Sequence, residues 1–148
     1  MAERILSEIV WSAAFIGFGV DMVFSQVVGY VVISIMLSLQ GISLSGDDLL
    51  PTDAELAYQV VGVLGALVGG VVAGYLAKRW GSIHGVLGSL IGLFAIMCAL
   101  PLLGNPEFSI GDLGFVVLNL IAAGYGGGLG ERWHRRRNAD SGEGESQP

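Results

Sequence analysis

Nineteen of the twenty charged residues lie outside four apolar stretches, Ile9 to Leu39, Ala57 to Ala77, Ile83 to Leu103 and Leu113 to Gly130. That segregation leaves few alternatives. A hydrocarbon core of ~30 Å takes about 20 helical residues per crossing and offers no water to backbone polar groups, so each stretch reads as a transmembrane helix. The chain has 148 residues, 53% hydrophobic and 14% charged, which leaves no room for a separate soluble domain. The expected fold is therefore all-α, an integral membrane four-helix bundle spanning residues 1–137. Residues 138–148 are polar, acidic and rich in Gly and Ser, and are expected to form a disordered cytoplasmic tail. At 1.5 Å per residue the first stretch would run to ~46 Å as one helix, which implies tilt, projection or a break. Gly17, Gly19 and Gly29 are its candidate weak points.

The basic residues orient these spans. Arg4 precedes the first, Lys78 and Arg79 separate the second from the third, and Arg132, Arg135, Arg136 and Arg137 follow the fourth. The two remaining loops hold Asp47, Asp48, Asp53 and Glu55, then Glu107 and Asp112, without Lys or Arg. The positive-inside rule then puts both termini and the short middle loop in the cytoplasm, in a multi-pass protein of the cytoplasmic (inner) membrane. Trp11, Trp80 and Trp133 fall at the cytoplasmic ends of their spans, where indole rings anchor at the interface. The first apolar stretch is too long for a signal-peptide core and is read as retained. A net charge of -6 lacks the basic footprint of a nucleic-acid binder, so no nucleic-acid partner is expected. Thr52 with Glu55 three residues on has the capping-box arrangement, which predicts that a helix begins at Thr52 or Asp53.

Two features repeat. Span two ends Leu76-Ala77-Lys78-Arg79-Trp80 and span four ends Leu129-Gly130-Glu131-Arg132-Trp133, each as Leu, small, charged, Arg, Trp. Two tandem helical hairpins would produce this, and so would the common need of outward-to-inward spans for Arg and Trp at their ends. The glycines also recur at a spacing of four: Gly65 and Gly69, Gly70 and Gly74, Gly81 and Gly85, Gly88 and Gly92, Gly124 and Gly128, Gly126 and Gly130. Residues four apart share a helix face, so each GxxxG pair marks a strip, as in a glycine zipper, where two backbones can approach closely. Those faces serve packing inside one bundle, or association with a second copy or a larger membrane protein. The string GYGGGLGERW lacks the Gly-Lys-[Ser/Thr] ending of a phosphate loop and is not a nucleotide site.

The run Gly69-Gly70-Val71-Val72-Ala73-Gly74-Tyr75-Leu76-Ala77, the basic turn after it, and Gly81-Ser82-Ile83-His84-Gly85-Val86-Leu87-Gly88 resemble the central signature of small four-span prokaryotic membrane proteins of the YrzE-like kind. About 25 residues carry the likeness, and the four-span layout extends it over most of the chain. The resemblance implies an architecture and no catalytic residue. The long outer loop, the acidic tail and Asp21 depart from it.

Asp21 is the one charge within a span, ten residues and about 15 Å beyond Trp11 on a helix. An aspartate at a helix centre costs ~2.5–3.5 kcal/mol on insertion, so it needs a partner, a neutral state or a path to water. Gly17, Asp21, Ser25 and Gly29 form one i, i+4 stripe that should turn inward, with Asn119 of span four as the best hydrogen-bond partner and Gln26 as a second polar candidate. His84 beside the basic turn fits a cap on the hairpin, a contact to lipid phosphate or a titrating group. Arg132, Arg135, Arg136 and Arg137 serve topology or meet anionic lipid. His84 and His134 are too few for a zinc site, no metal or other cofactor is expected, and no nucleophile–base pair suggests an enzyme. The resulting expectation is a non-enzymatic structural or assembly component packing through its Gly-rich faces in the lipid bilayer. The alternative is a small oligomeric transporter or channel that binds a proton or cation at Asp21.

Overall fold

The computed structural model describes residues 9–41, 51–99 and 110–140. Four helices account for nearly all of them: α1 (Trp11–Gln40), α2 (Thr52–Ala77), α3 (Gly81–Ala99) and α4 (Ile110–Asp140). All four are long and apolar enough to cross a membrane, and the chain is a multi-pass membrane protein with an all-α four-helix bundle.

α1 is unbroken despite its glycines, and its 30 residues extend about 45 Å at 1.5 Å per residue. It stops at Gly41, whose left-handed φ of 67° lets its N–H reach the Leu37 and Ser38 carbonyls. α2 begins at Thr52 as expected, but not through a capping box. Pro51 is the N-cap without a side-chain bond, and Asp53 Oδ1 accepts from the Ala54 N–H (3.1 Å) while Asp53 Oδ2 accepts from Gln40 Nε2 (2.6 Å). With Pro51 at the N-cap, Thr52 stands one position inside the helix, where its hydroxyl is not placed to cap the first turn. α4 runs through the basic cluster to Asp140, so the boundary expected after residue 137 moves to 140 at least. The outer acidic residues Asp47, Asp48 and Glu107, and the tail from 141 onward, lie outside the described residues.

α2 and α3 form the middle of the bundle, each packed on both α1 and α4, while α1 and α4 do not meet among the described residues. The two hairpins are therefore not placed alike: α2 packs on α3, but α4 does not pack on α1. The interior is made of small residues. Ala13, Ala14, Ala54, Ala66, Ala73, Ala77 and Ala123 are buried with the glycines, whereas Phe15, Val23, Val27, Leu64, Phe94 and Ile121 point outward. Lipid tails are as apolar as Leu, so large side chains gain little by turning inward, and close backbone approach supplies the cohesion.

Candidate functional site

The tight end of the bundle is built first, because it places everything else. The chain reverses between α2 and α3 in three residues, with Lys78 (φ 64°) and Trp80 (φ 56°) in the left-handed region that side chains ordinarily avoid. Buried His84 holds this turn against α1. Its Nδ1 lies 2.9 Å from the Trp80 carbonyl oxygen, and its Nε2 accepts the N–H of Val10, the N-cap of α1, at 2.9 Å. A main-chain N–H can only donate, so Nε2 carries the lone pair and Nδ1–H donates to Trp80. Of the roles open to His84, the geometry is that of a cap joining three segments. Glu131 does the same for α3, its Oε2 accepting from the Gly81 N–H at the first position of that helix (2.8 Å) while Oε1 pairs with Arg135. A carboxylate at a helix N-terminus also complements its dipole. Nearby Arg137 donates to the Tyr75 hydroxyl (3.0 Å), and Tyr75 packs on Trp133 with ring centroids 5.8 Å apart. Trp11, Trp80, Trp133, the Lys78–Arg79 turn and the four arginines of α4 thus gather at one end.

The glycines draw the helices together from that end. Gly65 and Gly69 face α1, and Gly70 and Gly74 face α4: a Cβ on Gly70 would overlap the Ala123 carbonyl, and one on Gly74 that of Gly127. Gly81 and Gly85 meet Gly127 and Ala123 of α4, whereas Gly88 and Gly92 meet Ala14 and Phe18 of α1. Gly124 and Gly128 lie against Val86 and Ser82 of α3, and Gly126 and Gly130 against Leu67 and Val71 of α2. Each pair, four residues apart, is used by one neighbouring helix of the same chain. The glycine-mediated approaches of α4 fall in its stretch from Ala123 to Glu131.

Toward the opposite end the four helices line an open-sided cavity of about 580 Å3. α1 contributes Phe18, Asp21, Met22, Ser25 and Gln26; α2 contributes Tyr58, Gln59 and Gly62; α3 contributes Ser89 and Gly92 to Ile96 in part; and α4 contributes Phe115, Val116, Asn119 and Leu120. Asp21 lines it where the stripe of α1 crosses α2. A Cβ on Gly69 would sit 2.7 Å from Asp21 Cβ, and one on Gly65 would sit 2.6 Å from Asp21 Oδ1. The missing side chains make the room in which the carboxylate rests. Ser25, one turn on, donates its Oγ–H to Asp21 Oδ1 at 3.1 Å. Gln26 donates to the Tyr58 hydroxyl (3.1 Å) at the exposed side of the cavity.

The stripe of Gly17, Asp21, Ser25 and Gly29 does turn inward, against Ala73, Gly69, Gly65 and Tyr58 in that order. Asn119 shares the cavity with Asp21, but the hydrogen bond to the carboxyl oxygen comes from Ser25. Sequence reasoning passed over Tyr58, Gln59 and Ser89, whose inward rotation depends on how α2 and α3 are turned about their axes. It also passed over Glu131, whose signal was the i, i+4 pairing with Arg135. Lys78, Arg79, Arg132 and Arg136 are exposed. No group of three or more His, Cys, Asp or Glu that would hold a metal occurs among the described residues. Set against known proteins, the chain matches no family model, no curated protein and no solved structure.

Proposed function

We propose that this protein handles a proton or a cation at Asp21, as a small transporter or channel of a cytoplasmic membrane with both termini inside. The observation that carries the reading is the cavity. The one acid within the spans lines it, and Ser25, Gln26, Tyr58, Gln59, Ser89 and Asn119 bring oxygen or amide groups to its wall from all four helices. Ionisable groups inside membranes are costly and mark ion paths when they face a cavity. The other reading is a structural or assembly component packing through its Gly-rich faces. Those faces pack on neighbours within the chain, and the cavity with its acid is the feature that such packing does not use. The orientation is supported by the gathering of Lys78, Arg79, Arg135 and Arg137 with three tryptophans at one end.

The test is flux. Purified protein in liposomes, under an imposed pH or sodium gradient, is expected to pass protons or sodium, and Asp21→Asn is expected to bring that flux to the protein-free background with the thermal unfolding temperature little changed. Asn keeps the size of Asp and one oxygen that can accept from Ser25, and puts an unionisable NH2 group in place of the other oxygen. Wild-type flux in Asp21→Asn would overturn the proposal.

A further inference from the structure

A bare ion or a proton needs far less room than the space in front of Asp21 provides. The cavity measures about 580 Å3, within the roughly 300–1,000 Å3 of small-molecule sites. A water molecule's share of liquid volume is only about 30 Å3. Its wall joins two chemistries. Phe18, Tyr58 and Phe115 supply aromatic rings, whose faces carry partial negative charge, and Asp21 supplies a carboxyl group. Among the described residues no Lys, Arg or His lines it, so an anion finds no counter-charge from them. A divalent metal ion would want several carboxylate or carbonyl oxygens at close range, and one carboxyl group balances only one positive charge.

Resting on the role proposed for Asp21, we infer that the cavity takes a monovalent organic cation, a substituted ammonium attached to a compact apolar body. The ammonium lies toward Asp21 and the aromatic rings, where Coulomb attraction and cation–π contact act together. Asn119 provides a polar contact on the opposite wall. The apolar body occupies the remaining volume, which a hydrated inorganic ion would leave unmatched.

Gly62 gives an independent handle on size. It lines the cavity, and a Cβ built on it meets nothing within 4 Å, so the side chain of Gly62→Leu starts into open space and takes up part of the cavity. The experiment is calorimetric titration of the purified full-length protein in detergent with benzyltrimethylammonium and with the anion benzylsulfonate, on wild type, Asp21→Asn and Gly62→Leu. Proton and sodium flux are measured in parallel on the same three proteins. Benzyltrimethylammonium is expected to bind saturably to wild type, and benzylsulfonate is not. Removing the counter-charge or the space is expected to raise Kd at least about tenfold in each variant. Absence of benzyltrimethylammonium binding to wild type, equal binding of the anion, or unchanged affinity in Gly62→Leu would each overturn the organic-cation assignment. If flux through wild type still depends on Asp21 in that case, the role of Asp21 stands and only the substrate class falls. If flux is also absent, both fall.

Discussion

Asp21 and His84 are polar side chains placed among apolar helices, and they are accommodated by opposite means. His84 is enclosed and has a partner for each ring nitrogen, Trp80 O on one side and Val10 N–H on the other. Asp21 has one side-chain partner, Ser25, and opens on a cavity. The first arrangement is that of a structural pin, and its removal should be felt in stability. His84→Ala leaves a buried N–H and a void, and is expected to cost about 3 kcal/mol, read as a lower unfolding temperature in detergent with helix content retained below the transition. An unfolding temperature equal to wild type would show that the pin contributes nothing. Asp21 was legible in the chain because it is the lone charge in four apolar stretches. Its partner was not, since a choice between Ser25 on the same helix and Asn119 across the bundle turns on helix rotation.

The helices owe their proximity to backbone rather than side chains. Six glycine pairs at a spacing of four were visible beforehand, and each faces a single neighbouring helix, yet which neighbour it faces could not be read from the spacing. Gly65 and Gly69 serve α1 while Gly70 and Gly74 serve α4, although only one residue separates the two strips. The environment of each glycine predicts how a substitution will behave. Gly74→Leu would drive a side chain into the Gly127 carbonyl and is expected to prevent assembly of α4 on α2, seen as aggregation or loss of the monodisperse protein on purification. Gly19, where a Cβ meets nothing within 4 Å, is a control in the same kind of helix. Gly19→Ala is expected to be neutral or to stabilise by about 0.5–1 kcal/mol through higher helix propensity. Equal tolerance at the two positions would remove close packing as the cohesive force. α4 continues beyond its apolar stretch, which ends at Gly130, to Asp140, because nothing in Glu131 to Asn138 breaks a helix and Glu131, Arg135 and Arg137 are tied to α3, to each other and to Tyr75.

Taken together, the four helices make a molecule that is tight at one end and hollow toward the other. The end with Trp80 and the arginines is proposed to face the cytoplasm, and labelling checks it. In a Cys98→Ser background, Thr52→Cys is expected to react with a membrane-impermeant maleimide on intact cells, and Arg136→Cys only after permeabilisation. The reverse pattern would invert the topology. Four spans and the inward stripe of α1 were readable from the chain, because exclusion of charge from hydrocarbon and the 3.6-residue helical period act locally along a sequence. The pairing of α2 and α3 at the centre, the separation of α1 from α4, the capping by His84 and Glu131, and the cavity before Asp21 were not. They depend on how four helices are rotated and tilted against one another, and that is set by the sum of many small backbone contacts between residues far apart in the chain.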